Sequence, residues 1–327
     1  MRFSFETVRD NLNLTRGYGV AGYRVIRSLQ SLGHTVPFDD AETPIQMSFN
    51  PPQYYKFNPG QYRIGYTPWE STELPNGWLE KMNECDEVWA TSPWVAEVYK
   101  NSGVKPPIHV YEHGIDNKWA PMRRTGSDVV RYLHVGEPAL RKGGQMALDA
   151  FRAAFGNRTD VHLTLKCYED HWLRAWHNGQ FTTPDKAYDN VTIITKTIPE
   201  EELMALYRQH DVMVYPTYGE GFGFLPLQSL ATGMPTICTD EWAPYREFLG
   251  PLALRGRWDR SVWSVHPGDV YYPDYDMLVD LYKFSFDNLE YLRNYYEKQS
   301  PDIHATYNWV RQTEKAFEHI FERFTEN

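Results

Sequence analysis

The sequence predicts an α/β chain whose parallel strands are covered by helices on both faces. Three observations carry this. Strand-like and helix-like segments alternate, most regularly after residue 127. The 327 residues suit two domains at ~100–200 residues each. The 42% apolar and 23% charged residues are an ordinary globular balance, which excludes bulk disorder, collagen and coiled coil.

In the first half, Arg2 to Val8 reads as a strand, followed by a polar stretch with glycines from Asn11 to Gly22. Ala21, Val25, Leu29 and Leu32 then fall at helical spacing, with Gly33 where a C-terminal cap belongs. Thr35–Phe38 reads as a second strand. Residues 41–61, rich in Pro, Asn and Gln, read as loop. Strands follow at Tyr62–Tyr66, Glu87–Thr91 and Ile108–Val110. The polar segment 121–127, with a Pro, a Gly and the pair Arg123-Arg124, reads as a linker. It divides the chain into domains at 1–126 and 127–303.

In the second half, strands at Val129–Val135, Val161–Lys166, Val191–Ile194, Val212–Tyr215 and Pro235–Thr239 alternate with helices at Gln145–Phe155 and Pro226–Thr232. A further helix starts after Thr197, which reads as the N-cap of a capping box closed by Glu200. From Asp274 to the C-terminus the pattern is helical and rich in aromatics.

Composition narrows the partners. The net charge of −10 opposes gross attraction to nucleic acid. The charge is uneven: residues 1–126 hold 13 basic and 14 acidic side chains, and residues 127–327 hold 20 and 29. No run approaches the ~20 apolar residues of a membrane helix, and the first six residues lack the apolar stretch of a secretory signal. Cys85, Cys167 and Cys238 match neither a zinc pattern nor a disulfide framework. The expectation is a soluble, cytoplasmic protein without a metal site.

Gly17-Tyr18-Gly19-Val20-Ala21-Gly22 fits the dinucleotide fingerprint G-x-G-x-x-G, with Asp39 seventeen residues past Gly22. Read that way, the chain is an NAD(P)-dependent oxidoreductase. The fingerprint demands a tight turn directly from strand to helix, and eight residues, most of them polar, separate Val8 from Gly17. A loop that brings Gly17 and Gly19 near a ligand phosphate, helped by Arg24, answers the sequence better.

Two loops at the C-terminal ends of second-half strands are where open α/β sheets bind ligands. Gly136–Gly144 sets Arg141 and Lys142 beside a helix N-terminus, an arrangement that suits phosphate. In Glu220-Gly221-Phe222-Gly223 the glycines let backbone approach a ligand, and Glu220 can accept sugar hydroxyls. Gln228, farther along, offers a donor and an acceptor. Glu70 follows strand Tyr62–Tyr66 and is the candidate to orient an acceptor hydroxyl or act as its base.

Tyr218–Gly223 followed by Ser229–Ile237 resembles the donor-binding signature of retaining nucleotide-sugar glycosyltransferases of the large GT-B family four, "group 1". Gly17-Tyr18-Gly19 through Leu32–Val36, Val88–Ser92, His113-Gly114-Ile115-Asp116 with Pro121, and Arg141-Lys142-Gly143 resemble further pieces of the family in the same order. The resemblance spans about 17–250. It implies two Rossmann-like domains facing a cleft, with a final helix, about 304–327, crossing back to the first.

By position, the resemblance gives Lys142 the donor diphosphate and Glu220 the transferred sugar. The amides of Gly221, Phe222 and Gly223 would hold sugar and phosphate, and Gln228 the ribose. The donor would be a UDP- or GDP-sugar, used without a metal or other cofactor. Two positions depart from the family: Gln228 replaces the second carboxylate of Glu-x7-Glu, and Glu137 stands where the family has a phosphate-binding Arg. Arg141 is expected to substitute while Glu137 turns away. The acceptor is open, from a small molecule or glycan to a protein side chain or a hydroxymethylated DNA base. A DNA acceptor would need a basic face, for which Arg9, Arg16, Arg24, Arg27, Arg123 and Arg124 are the candidates.

Overall fold

The structure is a computed structural model and describes residues 1–7, 17–124, 126–137, 139–167 and 188–325. The first lobe is built on five parallel strands in the order β1 (Phe3–Glu6), β2 (Ile45–Phe49), β3 (Tyr62–Thr67), β4 (Glu87–Ala90) and β5 (Ile108–Val110). Its helices are α1 (Gly17–Ser31), α2 (Trp78–Met82) and α3 (Pro93–Asn101). Helix α3 starts where local chemistry requires. The Ser92 hydroxyl accepts from the Val95 amide at 3.3 Å, and Pro93 fills the first turn, where its missing N–H costs nothing.

The second lobe has a six-stranded parallel sheet. Its strands are β6 (Val130–Val135), β7 (Val161–Lys166), β8 (Val191–Ile194), β9 (Val212–Tyr215), β10 (Thr236–Thr239) and β11 (Ala253–Leu254), in the spatial order β11-β10-β9-β6-β7-β8. The chain therefore runs outward from β6 to one edge, then returns to the other side of β6 with β9. This reversal opens a crevice at the C-terminal ends of β6 and β9. Helices α4 (Gly144–Phe155), α5 (Glu200–Gln209) and α6 (Phe224–Ala231) cover the sheet. An antiparallel hairpin follows, β12 (Gly256–Arg260) with β13 (Asp269–Pro273), and then α7 (Tyr275–Asp287) packs against α4 and α8 (Leu289–Thr306) against α6.

The last helix, α9 (Trp309–Thr325), sets Trp309, Phe317 and Ile320 in the core of the first lobe with Phe3, Trp89 and Tyr111. The chain crosses where Ile115 N donates to the Tyr307 carbonyl at 2.6 Å. No helix among the described residues is long and apolar enough to cross a membrane.

The structure differs from the sequence reading at four places. Thr35–Phe38 makes only isolated bridges, and the second strand is β2, inside the segment read as loop. Helix α1 begins at Gly17 rather than after Gly22. The N-cap of α5 is Pro199, without a side-chain cap, so Thr197 closes no capping box. Pro226 lies in the third position of α6 rather than at its start.

Three buried histidines are held neutral. His113 lies against Phe222 (ring centroids 4.8 Å), Phe224 (4.7 Å) and Trp309 (5.5 Å), and neither of its nitrogens has a hydrogen-bond partner among the described residues. Burial pushes it down to about 3. Burial likewise takes His134 and His210 to about 4, although each has a backbone carbonyl that favours its proton. A histidine whose folded pKa lies below its unfolded value of about 6.5 leaves stability intact above that pH. As pH falls toward the folded value the unfolded chain takes up the proton first, at about 1.4 kcal/mol per pH unit per group. His113→Leu, of similar volume, is expected to remove about one proton from the pH dependence of unfolding between about pH 6 and 4. Urea melts across that range check this, and an unchanged slope would show that His113 is not buried as a neutral ring.

Candidate active site

The crevice between β6 and β9 is closed by two loops that grip each other. After β6, Arg141 and Lys142 lie in one tight turn (Leu140–Lys142) that ends at Gly143. Gly143 has φ +74°, and a Cβ there would lie 2.0 Å from the Pro216 carbonyl oxygen, so only glycine fits. The Arg141 carbonyl accepts from the Tyr218 amide at 2.8 Å, and the Thr217 hydroxyl lies 3.0 Å from the same oxygen. The β6 loop is thus pinned to the β9 loop, and this fixes where Lys142 can reach.

Lys142 reaches Glu220. Its Nζ donates to both carboxylate oxygens, at 2.7 and 2.9 Å. The Tyr215 hydroxyl donates to Glu220 Oε1 at 3.0 Å, and Thr217 Oγ1 lies at the same distance. Arg141 lies 3.3 Å from the same oxygen, donates to the Gly219 carbonyl, and points its other terminal nitrogen at Glu70 Oε1, 3.6 Å away in the first lobe. His266, between β12 and β13, lies 3.6 Å from the second Glu70 oxygen. Burial would raise both carboxyls, but the cations outweigh it. Arg141, with His266 and Lys142, brings Glu70 down to about 2, and Lys142 and Arg141 hold Glu220 below the usual carboxylate range. The same carboxylates raise Arg141 against the effect of its burial. Glu70, Arg141, Lys142 and Glu220 therefore form one largely desolvated cluster of two ionised carboxylates and two basic side chains, whose formal charges cancel.

The glycines of the β9 loop permit this contact. A Cβ on Gly219 would lie 2.3 Å from the Glu70 carbonyl oxygen, and one on Gly221 would lie 2.4 Å from Pro68 Cβ. The Gly221 carbonyl accepts from Thr91 at the end of β4, at 2.7 Å. Phe222 is buried against His113, and Gly223, at φ +83°, passes under Trp242 and Tyr245. Gln228 is buried in α6, and its Oε1 has no hydrogen-bond partner among the described residues. The Glu137 side chain is exposed.

The sequence-predicted residues of the first lobe meet the crevice unequally. Glu70 is in the cluster. Gly17 and Gly19 belong to the first turn of α1, which the Tyr18 hydroxyl ties to Thr67 Oγ1 at 2.8 Å, at the same end of the sheet as Glu70. Residues 7–16 separate β1 from α1, and Gly22 packs on Phe5 and Phe49. The direct strand-to-helix turn of a dinucleotide site is therefore missing. Arg24 pairs with Asp116 and is not free for phosphate. Arg124 is buried, donating to the carbonyls of His210, Met122 and Thr232. The basic face that DNA would need thus loses two members, while Arg9 and Arg16 lie outside the described residues. Sequence reading missed Tyr215, Thr217, Thr91 and His266. Tyr215 reads there as one more apolar strand residue, and His266 lies in a segment without a periodic signal.

Residues 130–250 match the family model for glycosyl transferases, group 1. That stretch contains Arg141, Lys142, Glu220 to Gly223 and Gln228. The chain is 26% identical over 182 residues to the D-inositol 3-phosphate glycosyltransferase of Paenarthrobacter aurescens, a match covering 55% of this chain and 42% of that protein. The match thus spans less than half of that relative's length. Among solved structures, the sucrose-phosphate synthase of Thermosynechococcus elongatus superposes with a TM-score of 0.77 over all of both chains, at 14% identity. HepE of Anabaena, whose structure holds UDP and glucose, superposes with a TM-score of 0.72 over 98% of this chain and all of its own, at 11% identity. The fold is GT-B: two parallel-sheet α/β lobes facing each other, with the last helix returning to the first.

Because Gly219 and Gly221 touch the first lobe through Cβ-sized gaps, a methyl at either position blocks closure without straining its own lobe. Gly219→Ala and Gly221→Ala are expected to stay folded, to increase the radius of gyration in small-angle scattering, and to lower turnover about 100-fold, the cost of misplacing reacting groups by about 1 Å. An unchanged scattering profile would show that this contact does not hold the lobes together.

Proposed function

We propose that the protein is a retaining glycosyltransferase that moves a sugar from a UDP- or GDP-sugar to an acceptor hydroxyl, without a metal at the donor. One observation carries the reading. Arg141, Lys142 and Glu220 converge at the reversal point of the second sheet, inside the stretch that matches the group 1 model, and face Glu70 of the other lobe. In this reading residues 127–303 form the donor lobe. Residues 1–126, with the returning helix, form the acceptor lobe. The names of the relatives, a glycosyltransferase and a sugar-phosphate synthase, support the same chemistry.

Transfer passes through an oxocarbenium-like state while negative charge collects on the departing diphosphate. Lys142 and Arg141 stabilise that charge from fixed positions, and the amides of Gly221, Phe222 and Gly223 add uncharged donors. Glu220 takes hydroxyls of the transferred sugar once Lys142 turns to phosphate. Gln228 Oε1, buried and unpartnered, accepts from a ribose hydroxyl. The acceptor attacks from the face the leaving group vacates, so no enzyme nucleophile is needed, and Glu70 orients its hydroxyl.

In a thermal-shift panel, UDP- or GDP-sugars are expected to stabilise the protein, by about 2.7 kcal/mol at a hundredfold excess over Kd, while NAD(P) does not. Added Mg²⁺ or Mn²⁺ is expected to leave turnover unchanged. Glu220→Ala and Lys142→Ala should lose transfer while staying folded; normal turnover in both would end the site assignment.

Glu70 and the donor phosphates compete for Arg141 in this arrangement. Glu70→Gln is therefore expected to tighten binding of the nucleoside diphosphate several-fold while lowering transfer, measured as Kd by calorimetry and kcat by product formation. A looser Kd would contradict that competition.

A further inference from the structure

At the opposite end of β4 from Thr91, three side chains from distant parts of the chain converge. We propose that Glu87, His109 and His319 form a structural binding site for a divalent ion of the zinc class, which clamps α9 to the first sheet. Glu87 starts β4, His109 lies in β5 and His319 in α9. Their ligand atoms all lie within 4.8 Å of one another. Glu87 Oε2 lies 2.9 Å from His319 Nε2 and 3.7 Å from His109 Nε2. Ligands bound to tetrahedral zinc at about 2.0–2.2 Å lie about 3.3–3.5 Å apart, and the two carboxylate-to-histidine separations bracket that distance.

The chemistry of the trio suits the ion. In this structure the two imidazoles are stacked, with centroids 4.1 Å apart and planes within 7°, so binding one ion requires each partly exposed ring to turn out of the stack until both lone pairs converge. His109 lies beyond hydrogen-bond reach of the carboxylate, and a bridging cation gives both rings and the carboxylate one common partner. Surrounding groups hold the carboxylate as outer partners hold metal ligands. The Tyr62 hydroxyl donates to Glu87 Oε1 at 2.7 Å, and Trp89 Nε1 donates to Oε2 at 2.9 Å. The nearby cation Arg323 is held by Tyr62, donating to its hydroxyl at 3.0 Å. Glu87 is buried, while each histidine side chain is 33% exposed, so solvent reaches the histidine side and a water can take the fourth position.

The test uses the full chain, stripped with chelator and titrated with Co²⁺ and then Zn²⁺. The expected result is one Co²⁺ bound, with the visible absorption of a tetrahedral centre, displaced by one Zn²⁺ that also raises the melting midpoint. His109→Ala and His319→Ala, both partly exposed positions, should each weaken Zn²⁺ binding by on the order of 100-fold. Absence of the tetrahedral Co²⁺ spectrum in the unaltered protein would overturn the proposal. So would undiminished affinity in the double variant H109A/H319A, which would place the ion on other histidines.

Discussion

Four charges meet where the two lobes touch, and the surrounding structure is arranged around keeping them paired. Glu220 and Lys142 belong to the second lobe, Glu70 to the first, and Arg141 reaches both carboxylates. Removing such ions from water is costly, and leaving one without its partner costs about 3–5 kcal/mol. Pairing therefore constrains everything nearby. Gly143 must be glycine because the turn that carries Lys142 runs against Pro216. Thr217 and Tyr215 fill the remaining acceptor capacity of Glu220. Gly219 and Gly221 must lack side chains because the partner carboxylate Glu70 comes from the other lobe.

Neutrality gives the cluster its chemical use. The cations have already lost most of their water in the folded protein, where the two carboxylates are their anionic partners. Under the proposed function a diphosphate would exchange with carboxylate oxygens around Lys142 and Arg141, and little further dehydration of the cations would be needed at that moment. The site is preorganised for negative charge, and charge that builds during a reaction meets fixed partners. Because Glu70 belongs to the opposite lobe, an anion that took its place on Arg141 would also act on the contact between the lobes.

Much of the second lobe was legible because its strands are short apolar runs between turn signals. Val161–Lys166 and Val191–Ile194 match the structure to the residue. The loops carrying Arg141, Lys142 and Glu220 were also legible, since charges and glycines crowded at strand ends are unusual. Strand β2 was not. All five residues of Ile45–Phe49 are buried, but Gln46 and Ser48 are polar. They are tolerated because Gln46 bonds Asp39 and Asn58 while Ser48 donates to Glu6. Such a strand reads locally as loop. The Thr197 capping box failed because Pro199 fixes the helix start two residues later. Contacts such as Glu70 with His266, or Glu87 with His109 and His319, join side chains too far apart in sequence for any spacing rule.

The residues at positions 228 and 137 fit the same charge balance. The cluster already sets two cations against two carboxylates. A glutamate at position 228 would bring another carboxylate into the interior, where burial without a cation disfavours its ionised form. The amide of Gln228 keeps an acceptor at that place, buried and unpartnered, without adding charge. At position 137 the balance works in the other direction. An arginine there would be a third cation in the same loop, whereas Glu137 is exposed and Arg141 is the residue of that loop that reaches Glu70. Arg141, four residues past Glu137 on that loop, is where a cation of the second lobe meets Glu70. One guanidinium therefore serves both a carboxylate of its own lobe and a carboxylate of the other.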